Sequence, residues 1–309
     1  MRQAFVRTLA DLAAIDDRIV LLTGDLGYMA LEPFRDAFPA RFFNVGVAEQ
    51  NMVGLATGLA EAGFRPYVYS IATFAALRPF EFIRNGPVLH HLPVRIVGMG
   101  MGFEYGHAGP SHHAVEDIAA LRTLPGLTIV APADSAQAAT AIRTTASLDG
   151  PVYYSLGKDG RLTVPGLDGR FELGRVQVVH EGSDLAILSM GSITVEAVAA
   201  AHTLIDYGVR ARVAVVSNFH PDPSDAVADL LGGVRFAITV EAQAISGGLA
   251  SFVSSVIAER ALPCRLRPLA VTASPDGTSG SQQDRWRVHG LDRSAILEHA
   301  LSAVGVVSR

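Results

Sequence analysis

Cysteine is nearly absent: Cys264 is the one thiol in 309 residues. No disulfide framework and no cysteine-based metal site can be assembled within the chain, and a reducing cytoplasm suits it. A basic excess is also missing. Lys and Arg number 25 against 30 Asp and Glu, a net charge of −5, so the electrostatic footprint of a nucleic-acid binder is not there. No window approaches the ~18 uncharged apolar residues of a membrane span. The opening stretch, MRQAFVRTLADLAAIDDRIV, is interrupted by Asp11, Asp16 and Asp17 and lacks the unbroken apolar core of a signal peptide. Short tandem repeats, low-complexity tracts and coiled-coil heptads are missing too.

What the chain does have is apolar residues, 49% of the total, together with 30 glycines. The length suits about two domains. The slightly positive mean hydropathy, +0.30, suits large buried sheets and a large subunit interface. Short apolar runs at 18–22, 65–70, 94–98, 127–132 and 151–156 read as strands. Helical patterns at 3–16, 31–38, 49–62, 74–89, 111–124 and 135–147 separate them, with Pro79 a break or start within the fourth. Around DGRLTVPGLDGRF the pattern lapses. It restarts with strands at 184–190, 209–216, 235–240 and 264–269, and helices at 193–207, 224–231, 249–260 and from Arg293. The polar stretch TASPDGTSGSQQDRW reads as a loop. Such alternation predicts an α/β protein of two doubly wound domains with mainly parallel sheets. We place them at 1–160 and 175–309, joined by a linker at 161–174.

Two stretches carry residues suited to chemistry. In FNVGVAEQNMVGLATGLAEAGF, from Phe43 to Phe64, an apolar strand turns into a helix expected to be buried on most of its circumference, and Glu49 sits in its first turn. A carboxylate there either complements the helix N-terminus, at about 0.3–1 kcal/mol, or is a buried acid placed to move a proton. The pattern alone leaves both open. The second stretch, GMGMGFEYGHAGPSHH from Gly98 to His113, lets backbone approach a ligand closely and lies after a strand, where ligands bind parallel sheets. His107, His112 and His113 suit substrate contact or acid–base work better than a metal, since no carboxylate or cysteine cluster completes a ligand set. His113 alone could equally be a surface residue at a helix start. The spacing GMGMG fits neither the GxGxxG nor the GK[ST] phosphate pattern. No GxSxG elbow supports serine hydrolysis. His90 and His91 suit a helix C-terminus, and the cluster Phe74, Phe80 and Phe82 reads as core or as a cofactor platform, core being the commoner place for Phe.

The strings FFNVGVAEQNMVGLATGLAEAGFRPYVYSIATF, AGPSHHAVEDIAALRTLPGLTIVAPAD, PVYYSLGK and TVEAQAISGGLASFV occur in an order that closely resembles the transketolase family of thiamine-diphosphate enzymes. The resemblance spans the chain as a pyrimidine-binding domain plus a C-terminal domain. It implies that Glu49, the acid of the GxxE turn, hydrogen-bonds the cofactor pyrimidine N1′ and shares a proton with it. By the same resemblance Phe74 stacks on the pyrimidine, and Asp25 of the TGD turn lies near the cofactor and the subunit interface. His112, in GPSH, matches the family's GPTH histidine.

Departures are equally informative. The family's GDG…N motif for Mg²⁺ and diphosphate belongs to a domain that would precede this chain, and GDL at 24–26 lacks the second glycine. The resemblance therefore implies the second subunit of a split transketolase. A partner carrying GDG…N would supply the metal site, with no metal ligand here and an α2β2 heterotetramer as the assembly. Arg2 takes the place of a phosphate-gripping arginine. Lys158 replaces another, keeping the charge without the bidentate fork. A phosphate-holding serine falls on Met29, the donor-reading aspartate on Ala108, and an upstream histidine near Gly100, whose space His107 could refill. The implied activity is transfer of a two-carbon ketol unit from a ketose, phosphorylated or unusual, to an aldehyde. The alternatives are the β subunit of a 2-oxo-acid dehydrogenase, a relative of deoxyxylulose-phosphate synthase, and a non-catalytic stabilising subunit.

Overall fold

The computed structural model describes residues 1–273 and 276–306. Two sheets organise it. The first contains β1 (Ile19–Thr23), β2 (Phe42–Asn44), β3 (Arg65–Ile71), β4 (Arg95–Met99), β5 (Thr128–Val130) and β6 (Val152–Leu156) in the order β2-β1-β3-β4-β6-β5. Every pairing in it is parallel. The second contains β7 (Val176–His180), β8 (Leu185–Met190), β9 (Ala211–Val216), β10 (Phe236–Ala244) and β11 (Arg265–Val271) in the order β11-β10-β8-β9-β7. Only β7 in this sheet runs antiparallel. Central strands such as β1, β4, β6 and β8 are buried at every position, which is why they read as continuous apolar runs rather than alternating ones.

The first sheet is flanked by α1 (Arg2–Ala13), α2 (Glu32–Ala37), α3 (Glu49–Glu61), α4 (Ala72–Ala76), α5 (Phe80–Ile83), α6 (Asp117–Leu121) and α7 (Ser135–Thr145). The second is flanked by α8 (Thr194–Ile205), α9 (Ser224–Leu231), α10 (Leu249–Glu259), α11 (Gln282–Val288) and α12 (Arg293–Val304). The two halves share one apolar core, in which Val20, Met52 and Ile118 belong to the same cluster as Leu188, Phe219 and Leu249. Backbone bonds stitch the junction: Ala131 N–H to Ser217 O at 2.8 Å, Phe219 N–H to Ile129 O at 3.1 Å and Ala244 N–H to Val115 O at 2.7 Å. Arg122 donates to the Gly248 carbonyl at 2.8 Å and stacks its guanidinium over Phe219, 4.7 Å from the ring centroid.

Several expectations need correction. The helix expected at 74–89 is three short pieces, α4, α5 and a π-helical turn at Arg84–Val88 that carries Pro87. Pro79 and Pro87 each remove an N–H donor, so a regular ladder cannot continue. The helix expected from Ser111 begins only at Asp117, because Pro110–His112 is a 3₁₀ turn and His113 is extended. His113 is buried, not a surface residue. Strand β7 went unread, since its half-exposed edge pattern shows no clean alternation. The polar loop before the last helix hides α11, capped by Ser281, whose Oγ accepts the Asp284 N–H at 3.1 Å; Ser274 and Pro275 of that loop lie outside the described residues. Helix α3 buries only one side: Met52, Val53, Ala56 and Ala60 pack inward while Gly54, Leu55 and Gly58 face out.

The segment after Lys158 is anchored to α7. Asp134 is the buried N-cap of that helix, accepting the Gln137 N–H at 2.9 Å, and its second oxygen accepts the Val164 N–H at 3.0 Å. Asp134→Ala removes the cap and orphans a buried amide. We expect a loss of about 2–3 kcal/mol in urea unfolding, with Asp134→Asn falling between the two.

Candidate active site

In the first sheet the chain leaves β1 toward β2 on one side and returns to β3 on the other, so the β1/β3 boundary is a topological switch point. Ligands of open parallel sheets bind at the carboxyl ends of strands there. At those ends stand Gly24 and Asp25 after β1, Glu49 after β2, and Ser70 near the end of β3 with Phe74 and Arg78 just beyond. Glu49, 1% exposed, is the first residue of α3, where the helix N-terminus favours negative charge. Its Oε1 accepts from Ser70 Oγ at 2.9 Å and its Oε2 from Arg78 Nη1 at 3.0 Å. The Arg78 guanidinium also lies over the Phe74 ring, 3.8 Å from its centroid. The other partner of Phe74 is His112, edge-on at 5.0 Å between ring centroids. Asp25, exposed with φ 57°, accepts from Tyr28 Oη and Asn44 Nδ2, both at 2.8 Å. Those two bonds, Asn44's first, hold its carboxyl below the usual range.

The glycine-rich loop after β4 continues the site toward the second sheet. Gly102, with φ +59°, abuts β10 so closely that a Cβ there would meet the Cβ and carbonyl oxygen of Ala242 at 2.9 Å. Gly109, with φ +82°, separates the two turns bearing His107 and His112. Tyr105 lies between His112, 6.4 Å away by ring centroids, and Lys158, whose Nζ sits 4.7 Å over the phenol ring. Beyond them a cavity of about 550 Å³ is lined by Arg2, His107, Lys158, Arg161, Glu104 and Gln282, among others. Arg161 is engaged with Asp159 at 3.0 Å.

The sequence-predicted residues therefore fall into two adjoining groups. Glu49 and Phe74 are joined through Arg78, with His112 at the edge of Phe74, and Arg2, His107 and Lys158 share one cavity. Asp25 stays outside both, on the surface beside Gly24, a Cβ on which would lie 3.6 Å from Glu49 Oε1. Ser70, Arg78, Glu104 and Tyr105 escaped the sequence reading. The FEYGH string offered only the weak signal of an acid and an aromatic among glycines. Among the described residues no three His, Cys, Asp or Glu side chains are grouped so as to hold a metal ion.

Glu104 is the structural acid of the cavity. One oxygen accepts from the backbone N–H groups of Lys158 and Asp159, the other from Ser192 Oγ at 3.1 Å, and Ser192 Oγ in turn accepts from Gln282 Nε2 at 3.2 Å. Burial pushes its carboxyl above the ordinary 4.5. The folded state thus binds a proton more readily than the unfolded one, and Glu104's contribution to stability is fullest below pH 4.5 and falls as pH rises through the raised folded value. Glu104→Gln should flatten this dependence in unfolding free energies measured from pH 4 to 8. Glu104→Ala, which strands two amides, should cost about 2–4 kcal/mol at the acid end of that range and less as pH rises.

Residues 1–159 match the family model described as transketolase, pyrimidine binding domain, and residues 174–296 that of the transketolase C-terminal domain. A putative transketolase C-terminal section from Methanocaldococcus jannaschii is 33% identical over 97% of this chain and 95% of its own length. One of the subunits of the apulose-4-phosphate transketolase of Phocaeicola vulgatus is 33% identical over 98% of this chain and 97% of its own. A solved structure of a split gene transketolase, described as an inactive beta4 tetramer, superposes with a TM-score of 0.87 at 33% identity, covering 99% of this chain and 98% of that one. With the parallel-sheet switch point carrying a buried acid and two family domains in sequence, the chain belongs to the transketolase family and resembles a subunit of its split members.

Proposed function

We propose that this chain is the pyrimidine-binding and C-terminal half of a two-subunit, thiamine-diphosphate-dependent transferase that moves a two-carbon ketol unit from a ketose to an aldehyde. The observation that carries the reading is the buried Glu49 carboxyl at the start of α3, beside the Phe74 ring, at the switch point of the first sheet. These residues fit one half of the cofactor: a buried acid to hold a proton at the pyrimidine N1′ and an aromatic face for its ring. Bound thiamine diphosphate supplies a nucleophilic carbon for attack on a ketone and an electron sink while a C–C bond breaks.

In this reading residues 1–160 form the pyrimidine-binding domain, 161–174 the connection and 175–309 the C-terminal domain. Asp25 lies close to the cofactor and to the subunit contact. His112, at the edge of Phe74, exchanges protons with or orients the reacting carbonyl. Arg2, Lys158 and His107 bind the far end of the ketose, and the cavity they line favours an anionic group there. A phosphorylated sugar is the substrate class closest to that of the apulose-4-phosphate relative.

Magnesium ligands and the diphosphate cradle are assigned to a partner chain with GDG…N, in a cytoplasmic α2β2 assembly. Apolar side chains left open on or next to the elements that carry the site support a protein partner: Val47 is 72% exposed, Leu55 45% and Phe82 43%. Two measurements test the proposal. Titration calorimetry of the purified chain with thiamine diphosphate and Mg²⁺ should show no tight binding, and tight binding without a partner would sink the split-site assignment. With the partner present, Glu49→Gln should lower ketol transfer by roughly 10²-fold or more; a variant retaining full rate would favour a purely structural subunit.

A further inference from the structure

Arg78 makes two contacts in the structure. Its Nη1 donates to Glu49 Oε2 at 3.0 Å, and its guanidinium plane covers Phe74 at 3.8 Å from the ring centroid. These are the two groups assigned above to the cofactor's pyrimidine, one by a hydrogen bond and one by stacking. A guanidinium is flat, delocalised and edged with N–H donors. It thus satisfies a carboxyl oxygen and an aromatic face in the way an aminopyrimidine would. Ser70 already takes Glu49 Oε1, so Arg78 engages the remaining oxygen of an acid whose side chain is 2% exposed. Two planar groups cannot both lie on one face of Phe74 while reaching the same carboxyl oxygen.

Arg78 is also built to leave. It follows α4, its side chain is 42% exposed, and among the described residues it forms no other hydrogen bond or ion pair. A guanidinium so placed can rotate into water and be rehydrated, whereas Glu49 is enclosed at the start of α3. We infer that Arg78 is a displaceable placeholder for the aminopyrimidine. It satisfies Glu49 and covers Phe74 in the cofactor-free chain and swings out when the ring seats. The inference rests on the assignment of Glu49 and Phe74 to the cofactor. It explains how a buried acid is tolerated in a chain that waits for a partner, since removing one member of a buried pair is strongly destabilising.

The test compares the wild-type chain, Arg78→Ala, Arg78→Lys and Glu49→Gln, each assembled with the diphosphate-binding partner. Calorimetric titration with thiamine diphosphate in excess Mg²⁺ gives the affinity. A placeholder competes with the ring, so Arg78→Ala should bind roughly tenfold tighter, with Arg78→Lys, which keeps the charge without the flat stack, between it and wild type. Unchanged or weaker binding by Arg78→Ala, while Glu49→Gln binds weakly, overturns the placeholder role. Unchanged binding by Glu49→Gln overturns instead the assignment of Glu49 to the cofactor. Thermal unfolding supplies a second readout. Arg78→Ala should melt lower than wild type without cofactor, and this gap should close once cofactor is bound and also in a Glu49→Gln background. A gap that persists in the loaded complex shows that Arg78 stays on Glu49, and the placeholder role fails.

Discussion

The burial of one carboxyl group sets the terms for the first half of the molecule. An acid taken out of water is tolerated only when its oxygens are met by donors, and Glu49 is met from three directions. Helix α3 offers its N-terminus, β3 presents Ser70 near its end, and the turn after α4 delivers Arg78. Each of these elements leaves the carboxyl edge of the same sheet, so the parallel order of β1, β2 and β3 is what makes the convergence possible. The broken helix between Ala72 and Val88 serves the same end. An unbroken helix would have carried Phe74 and Arg78 on a rigid course, whereas Pro79 lets the chain turn immediately after the arginine.

The second sheet contributes by position rather than by chemistry. Its β10 presses on the glycine loop at Gly102, where no side chain fits, and Ser192, which follows β8, reaches Glu104. Glu104 also receives the backbone of Lys158 and Asp159, which follow β6. Three stretches far apart in sequence are thereby tied at one carboxyl group, and the cavity next to it gains a fixed wall. With its oxygens turned to this network, Glu104 is a structural brace rather than a group presented to ligand.

The alternation of buried strands and amphipathic helices was legible because parallel strands covered on both faces are apolar along their length, and β1, β4, β6 and β8 all announce themselves this way. Edge strand β7 does not, since only part of it is covered. Helix α11 was concealed by its composition, although Ser281 three residues before Asp284 is the spacing of a helix cap. Within the site, Glu49, Phe74 and His112 sit in strings with a recognisable order. Arg78 and Glu104 do not, and Ser70, though inside such a string, carries no mark of its role, because their partners are 21 to 88 residues away in sequence, and nothing local distinguishes an arginine that will meet a buried acid from one that faces water. The exposed side of α3 was misjudged for a related reason. Small and apolar residues all around a helix signal burial without saying whether the cover comes from the same chain.

The charge balance of the cavity bears on what the proposed enzyme accepts. Five ionic groups line it, Arg2, Lys158 and Arg161 against Glu104 and Asp159, but they are not equally available. Glu104 is spent on backbone amides and Ser192, and Arg161 is held by Asp159 at 3.0 Å. Among the described residues Arg2 and Lys158 form no ion pair, so the uncompensated charge facing the cavity is positive, with His107 beside it. An arginine fork grips a phosphate in one orientation, while a lysine ammonium is a compact charge that accepts many. Lys158, resting its Nζ over Tyr105, is in the proposed enzyme the less orientation-selective of the two cations. Tyr105 and His107 complete that side of the site, on a loop bounded by Gly102 and Gly109.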